Sequence, residues 1–331
     1  MMRNYAIVAL LAALLVLTGC DTGGNEPAGN WKTFIGGTEG VSLRFDTDAP
    51  PMEVNIGDEF MVMVVLENLG EHTVAAEDYF VKLKGFSPEE FGTTSGELIV
   101  TGDDVGEDLQ ANEMNPDTGE TLESYPVYVE IPQGGMLSYN GGIAGNTQFP
   151  FAADVCYTYR TTANGMLCIK EDLTKTSDTK VCTLSGPQAI TSSGGPVQIA
   201  NFQEFGGGKS GVRFSFTIMA ANTGGDISTP GSECSNVYSD ENRMRVTVTT
   251  GIPGLSCNGF VGERTGDGSD SVSGDVKLSG SSRQITCTQD LGDPEDPNNH
   301  HQTDYVKVIE IAAEYDYEQS INTQVLVKNV Q

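Results

Sequence analysis

A period of two runs through the chain. Val41, Leu43 and Phe45 alternate with polar residues, and so do Tyr125, Val127, Val129 and Ile131. The alternation returns at Val212, Phe214, Phe216 and Ile218, and again at Met244, Val246 and Val248. Successive side chains of an extended strand point to opposite faces, so an apolar residue at every second position predicts a strand with one buried face. Gly, Pro, Asn and Asp separate the runs, as antiparallel strands require. Phe60 to Leu66 is apolar at every position, which predicts a central strand covered on both faces. No long stripe of helical period follows residue 20. With 40 Gly and 14 Pro, the chain reads as all-β.

Two landmarks recur. EFMVMVVLENLGE (59–71) aligns with RFSFTIMAANTGG (213–225), pairing Phe60 with Phe214, Val62 with Phe216, Val64 with Ile218, Asn68 with Asn222 and Gly70 with Gly224, always 154 residues apart. Further on, Tyr157-Thr158-Tyr159 matches Tyr315-Asp316-Tyr317 at a separation of 158. Each Tyr pair precedes another apolar run, Met166-Leu167-Cys168 or Val325-Leu326-Val327. Nearly constant separations predict tandem domains of similar fold, over 36–184 and 197–331, with a Ser/Gly/Pro linker at 185–196. Asn-x-Gly predicts a turn, because both residues tolerate φ > 0. Tyr-x-Tyr places both rings on one strand face, where they can close a core edge and give their hydroxyls to backbone.

An alternating strand ending in N-x-G, followed after about 90 residues by a Y-x-Y strand, resembles the CARDB-type, immunoglobulin-like β-sandwiches of archaeal and bacterial surface proteins. GGTEGVSLRFDTDAPP (36–51), with VCYTYRT and a later cysteine, is similar to uncharacterised lipid-anchored surface proteins of small-genome archaea. The resemblance implies two tandem immunoglobulin-like sandwiches acting as spacer, adhesion or binding modules, with no defined reaction. Each half exceeds the roughly 100 residues of a minimal sandwich, so 101–124 and 262–304 are expected as long loops or extra hairpins.

The segment ahead of the repeats changes where such a protein works. Arg3 precedes an apolar run from Tyr5 to Leu17, the length of a signal-peptide core and short of the roughly 20 residues that span a bilayer. Leu17-Thr18-Gly19-Cys20 resembles the lipobox of prokaryotic lipoproteins. The resemblance implies that residues 1–19 are a cleaved signal peptide, that Cys20 carries diacylglycerol, and that 20–35 form a flexible tether. Two acyl chains suffice for stable anchoring, which places the protein on the extracellular face of the cell membrane. Trp31, just after the polar tether, is expected to dock the start of the first domain.

Setting Cys20 aside leaves Cys156, Cys168, Cys182, Cys234, Cys257 and Cys287. An even number in an exported chain predicts three disulfides, in any of 15 connectivities. The sandwich layout suggests one scheme. Cys257 and Cys287 flank a polar, Gly-rich excursion. Cys156 and Cys168 flank RTTANG, which reads as a hairpin turn. Cys182 and Cys234 remain, to clip the linker to the second domain. With three cysteines in each half, at least one bond must cross between the halves.

Charge and motifs narrow the chemistry. Lys+Arg 18 against Asp+Glu 46 gives a net charge of -28, which argues against nucleic acid as a partner. Acidic clusters stand at Asp103-Asp104 with Glu107-Asp108, at Asp267 and Asp270, and at Asp293 to Asp296. Solubility is the plain reading; weak Ca2+ sites at these loops are the sharper one, although NPDTG (115–119) covers only part of an EF-hand pattern. FGGGKSG (205–211) fails as a phosphate loop because Gln203 stands at the first Gly position and a strand follows, so a hairpin loop is expected. There is no G-x-S-x-G, no H-E-x-x-H and no zinc-like cysteine spacing. His300-His301 is the only histidine pair and reads as a solvated loop. The reading that needs least is a non-enzymatic surface lipoprotein with a structural, adhesive or binding role toward a protein or surface polymer. A lipoprotein binding carbohydrate or Ca2+ at acidic loops comes second, and a carboxylate pair for glycoside hydrolysis comes last. No cofactor is expected beyond that Ca2+.

Overall fold

The runs that alternation marks fall on strands, and further strands that it did not mark stand beside them. In the first half these are β1 (Val41–Phe45), β2 (Val62–Asn68), β3 (Tyr79–Lys84), β4 (Ile99–Thr101), β5 (Val127–Ile131) and β6 (Thr147–Ile169). The second half holds β7 (Val197–Gly206), β8 (Gly211–Ala220), β9 (Gly225–Ser228), β10 (Arg243–Thr249), β11 (Leu255–Asn258), β12 (Val261–Thr265), β13 (Ser271–Lys277), β14 (Ser282–Asp290) and β15 (Tyr305–Lys328). This computed structural model describes residues 33–331 apart from 116, 174–180, 207, 223, 236, 294, 295, 297, 298, 301, 330 and 331. Residues 1–19, Cys20, Trp31, Glu295 and His301 therefore lie outside the described residues.

The repeat is real at the level of register. β2 is the middle strand of a three-stranded antiparallel sheet, β1-β2-β5, and Val62, Val64, Val65 and Leu66 are all buried along it. β7-β8-β14 reproduces this order inside a five-stranded sheet. Val64 faces Val129 in the first copy, and Ile218 faces Arg283 in the second, so both partners are displaced by the same 154 residues. Outside β6 lie β3 and then β4; outside β15 lie β10 and then β13.

The two copies do not stand apart as beads on a linker. β6 and β15 pair antiparallel along all 23 residues of β6, with Tyr157 opposite Tyr317 and Tyr159 opposite Tyr315. A local twofold thus relates the copies, and one ten-stranded sheet runs β12-β13-β10-β15-β6-β3-β4, joined at its flanks by β9, Glu53–Asn55 and Ile190–Ser192. Side chains from the three-stranded, five-stranded and ten-stranded sheets share one apolar core, and residues 33–331 form one compact unit. The stretch expected as a linker is built into both layers: Gly186–Pro187 pairs with β7 and Ile190–Ser192 with β6. An unpaired edge of this length would invite association with other chains; pairing the two long strands removes both edges.

Landmark residues do what strand geometry asks, with one change of mechanism. All four tyrosine rings are buried. Tyr157 Oη accepts from the N–H of Val41 and Tyr315 Oη from that of Val197; Tyr159 Oη donates to Gly194 O and Tyr317 Oη to Asn222 O. Asn68, Gly70, Asn222 and Gly224 do not use positive φ. Instead Asn68 Oδ1 accepts from Gly70 N–H at 3.1 Å and Asn222 Oδ1 from Gly224 N–H at 2.8 Å, an Asx turn. Glycine is required at 70 because a Cβ there would overlap the Tyr159 hydroxyl. The second expected insertion also proves structural: 262–304 contains β13 and β14, strands of the core, and 101–124 contains a short helix (Gly102–Val105) and a small hairpin.

Candidate functional site

Three disulfides form, one of them as the layout suggested. Cys257 on β11 sits directly opposite Cys287 on β14. The other two pairings differ from expectation: Cys156 joins Cys234 and Cys168 joins Cys182. RTTANG is not a turn. Asn164 and Gly165 lie inside β6, paired with Glu310 and Ile309 on one edge and with Thr191 and Ile190 on the other. Cys156 and Cys168 therefore sit on one strand, about 40 Å apart at 3.3 Å per residue, beyond any disulfide. Cys156–Cys234 crosses from the first copy to the second, as parity required. Three disulfides place the folded chain in an oxidising, extracellular type of environment. Among the described residues no helix is long and apolar enough to cross a membrane.

The acidic clusters have local duties. Asp104 accepts from the N–H and hydroxyl of Thr101, completing a capping box on the helix Gly102–Val105; these bonds hold its carboxyl below the usual range. Asp108 Oδ1 accepts from Ala76 N–H. Asp267 pairs with Arg264 at 3.0 Å, and the Asp270 carbonyl accepts from the N–H of Thr250. Asp296 N–H donates to Asp293 O. Asp103, Asp104, Asp267, Asp270, Asp293 and Asp296 are not drawn to common points, and among the described residues no three His, Cys, Asp or Glu side chains are placed to hold a metal. Gly206 and Gly211 end β7 and open β8, so FGGGKSG is a hairpin loop. The His300 carbonyl accepts from Tyr305 Oη, within a loop.

Sequence patterns pass over the carboxylates that matter most to the architecture. Glu71 accepts from the N–H groups of Ile35, Gly36 and Gly194, all within 2.7 Å, and so ties the entry of the chain to the segment between the copies. Asp316, fully buried, accepts from Thr158 Oγ1, Gly231 N–H and Ser232 Oγ; it fixes the loop that carries Cys234 over the β6–β15 seam. Asp154, also buried, meets Lys84 Nζ at 2.5 Å and Ser320 Oγ at 2.6 Å. Glu204 on β7 takes the Cys168 N–H at 2.9 Å while its Oε1 has no partner. Burial pushes its carboxyl up to about 8, against the pull of that N–H and of Lys170. The available signal was a polar residue in an apolar-framed slot: Asp316 stands between Tyr315 and Tyr317.

Two clefts meet at Ile99 on β4, one over the sheet face and one beyond the strand. One, of about 450 Å³, lies against Phe80, Ile99, Thr101 and Cys156 and is bordered by Glu77, Asp78, Asp103 and Glu233. The other, of about 430 Å³, lies against Ile99, Val100, Pro132 and Met136 and is bordered by Glu97 and Asp104. Ile99 is shared by both, and neither is lined by a lysine or an arginine. Hydrogen bonds from Thr94 and then Thr93 keep the Glu97 carboxyl below its usual range.

Comparison with known proteins adds little. No family model matches the chain, and no curated protein matches it. Among solved structures, the collagen adhesin of S. aureus aligns over 89% of this chain and 94% of its own, at 12% identity and a TM-score of 0.19. The secreted serine protease VesC of Vibrio cholerae aligns over 83% of this chain and 50% of its own, at 10% identity and a TM-score of 0.17. Neither likeness is close enough to carry an argument about fold or function.

Proposed function

We propose that the protein is a non-enzymatic surface lipoprotein: a stiff double-β body, held to the extracellular face of the membrane through lipid on Cys20, that presents its flanks to a protein or surface-polymer partner. The observation that carries this reading is the fused sheet. β6 alone is about 75 Å of extended backbone at 3.3 Å per residue, paired along the whole of one edge, along the other at Ala152–Tyr157 and Ala163–Gly165, and latched by two disulfides. Such a body keeps its shape in an exposed, oxidising setting and can hold a contact surface away from an anchor. The CARDB-like, archaeal-type resemblance of the repeat is in keeping with a spacer or adhesive role. Of the ligand-binding alternatives, Ca2+ at the acidic loops has no convergent set of oxygens behind it among the described residues.

Fractionation of cells expressing the full chain and its Cys20→Ser variant tests the anchor. The parent chain should enter the detergent phase and be cut by protease added to intact cells. Cys20→Ser should appear in the medium or as an unprocessed precursor. A processed, membrane-bound Cys20→Ser protein would refute lipid anchoring.

A further inference from the structure

Two consecutive residues break a rule that the rest of the backbone keeps. Glu233 and Cys234 have φ of 53° and 52°, and among the described residues every other left-handed position is Gly, Asn or Asp. Such outliers persist only where their surroundings hold them, and they gather at clamps and switches. Here the bridge to Cys156 does the holding. Cys156, Thr158 and Asp316 alternate with the four buried tyrosines, so they turn to the outer face of the long sheet, and the segment 229–235 lies over them. Within 229–235 only Cys234 is buried. The backbone bonds of the segment stay inside its own loop: Ser232 N–H donates to Thr229 O, Ser235 N–H to Ser232 O and Thr229 N–H to Asp240 O. Beyond the bridge, Ser232 Oγ reaches Ser228 Oγ, and Asp316 accepts from Gly231 N–H and Ser232 Oγ. The other bridges differ. Cys257 and Cys287 are fully buried and face each other on paired strands, and Cys168 lies in β6 opposite Val306, so backbone ladders remain when those bonds open. Clefts border both halves of the Cys156–Cys234 bridge, one of about 450 Å³ against Cys156, Thr158, Glu233 and Asp316, another of about 250 Å³ against Cys234, Ser235 and Glu318.

We propose that Cys156–Cys234 is a thiol-released latch. A dithiol opens it, 229–235 leaves the sheet face, and the two clefts join into one trough floored by Cys156, Thr158, Asp316 and Glu318. One thiolate of the dithiol attacks Cys234 Sγ; the S–S bond breaks, and Cys156 leaves as a thiolate that takes up a proton. The second thiol of the reagent then attacks the mixed disulfide. Cys234 is freed as a thiol, and the dithiol, having given up two electrons, ends as a cyclic disulfide. Glu233 and Cys234 are then free to leave the left-handed region, which favours the open form. The segment has lost the partner of its one buried residue, so its local stability is low. In oxidising surroundings the face stays covered. Contact with a dithiol uncovers the Asp316 carboxylate, which in the closed form is held by three neutral donors.

This inference goes beyond the anchored module and holds with or without the lipid. The full chain carrying Cys20→Ser is treated with dithiothreitol under native conditions, alkylated and mapped by peptide. Carbodiimide labelling reads carboxyl exposure, and hydrogen exchange reads the backbone. Cys156 and Cys234 should alkylate while Cys257 and Cys287 do not. Exchange at 229–235 should rise about tenfold or more, with β6 and β15 unchanged. Labelling of Asp316 should rise at least about fivefold, whereas Asp154, buried on the same face, stays protected. The double variant Cys156→Ser/Cys234→Ser should show the open pattern without reductant; should it fail to fold, the reduced parent still decides. Continued protection of Asp316 or of 229–235 after both thiols are alkylated would overturn the proposal, as would a bridge that opens only once β6 and β15 lose their protection.

Discussion

In the first repeat six rings meet under the sheets: Phe60, Phe86, Phe91, Tyr139, Phe149 and Phe151, with centroids between 4.3 and 6.2 Å apart in the contacting pairs. In the second repeat Phe202 and Phe214 are in ring contact, and the rest of the core is largely aliphatic. That repeat gains instead a strand on each flank: β11 beyond β14, locked by Cys257–Cys287, and β12 beyond β13. One strand order therefore supports two modes of stabilisation. Large rings fill the first core from within and leave its flank at β4 uncovered. The second core, with fewer rings, is closed from its edges by strands and a covalent bond. The cleft against Ile99, Val100 and Pro132 lies at this uncovered flank.

The strongest way to break this comparison is Phe91→Ala. Phe91 is fully buried and touches five other rings, and its removal should cost about 3–5 kcal/mol, read from the urea midpoint. A loss below about 1 kcal/mol would mean that the ring cluster does not hold the first repeat.

Next in size is the edge clip of the second repeat. Replacing Cys257 and Cys287 together by Ser should lower stability by about 2–4 kcal/mol for a bridge spanning 30 residues. Hydrogen exchange should rise in β11 and β14 and stay low in β2 and β5; a rise in both repeats alike would show that the edges are not independent.

Glu204 makes the second repeat sensitive to pH. Its carboxyl is raised from 4.5 to about 8 by burial. Its contribution to stability is therefore fullest below 4.5 and is lost as pH rises through about 8, because over that window the unfolded chain ionises at this position and the folded one does not. The fall should reach about 2–4 kcal/mol, and Glu204→Gln should flatten it; an unchanged slope between pH 5 and pH 8 would assign the dependence to another group.

The smallest contrast concerns the shared landmark. Asn68 is buried and also donates to His72 O and Leu109 O, whereas among the described residues no side-chain donor bond accompanies the Asx turn of the half-exposed Asn222. Asn68→Ala should cost about 1–3 kcal/mol and Asn222→Ala less than about 1 kcal/mol. Equal costs would show that the turn itself, and not burial, sets the value of this residue.

Much of this was legible in residue order. Val212, Phe214, Phe216 and Ile218 point one way because a strand alternates, and no later contact is needed to see it. Asn68 and Asn222 mark the same turn because an Asx bond is local. RTTANG misleads for the opposite reason: its turn propensity is real, but pairing on both edges of β6 overrides it. The open flank at β4 was not legible at all, since Leu98-Ile99-Val100 reads like any other short apolar run and what distinguishes it is the place of its strand at the end of the sheet.

By itself, then, the sequence determined the all-β class, the duplication, and an even set of cysteines once Cys20 is set aside. These rest on side-chain periodicity, on local hydrogen bonds and on counting. Only the tertiary structure decided that the copies fuse through β6 and β15, which cysteines meet, and which flank stays open. Those outcomes depend on backbone N–H and C=O groups that every residue carries alike, so no residue type announces which strand, some 158 positions away, will satisfy them.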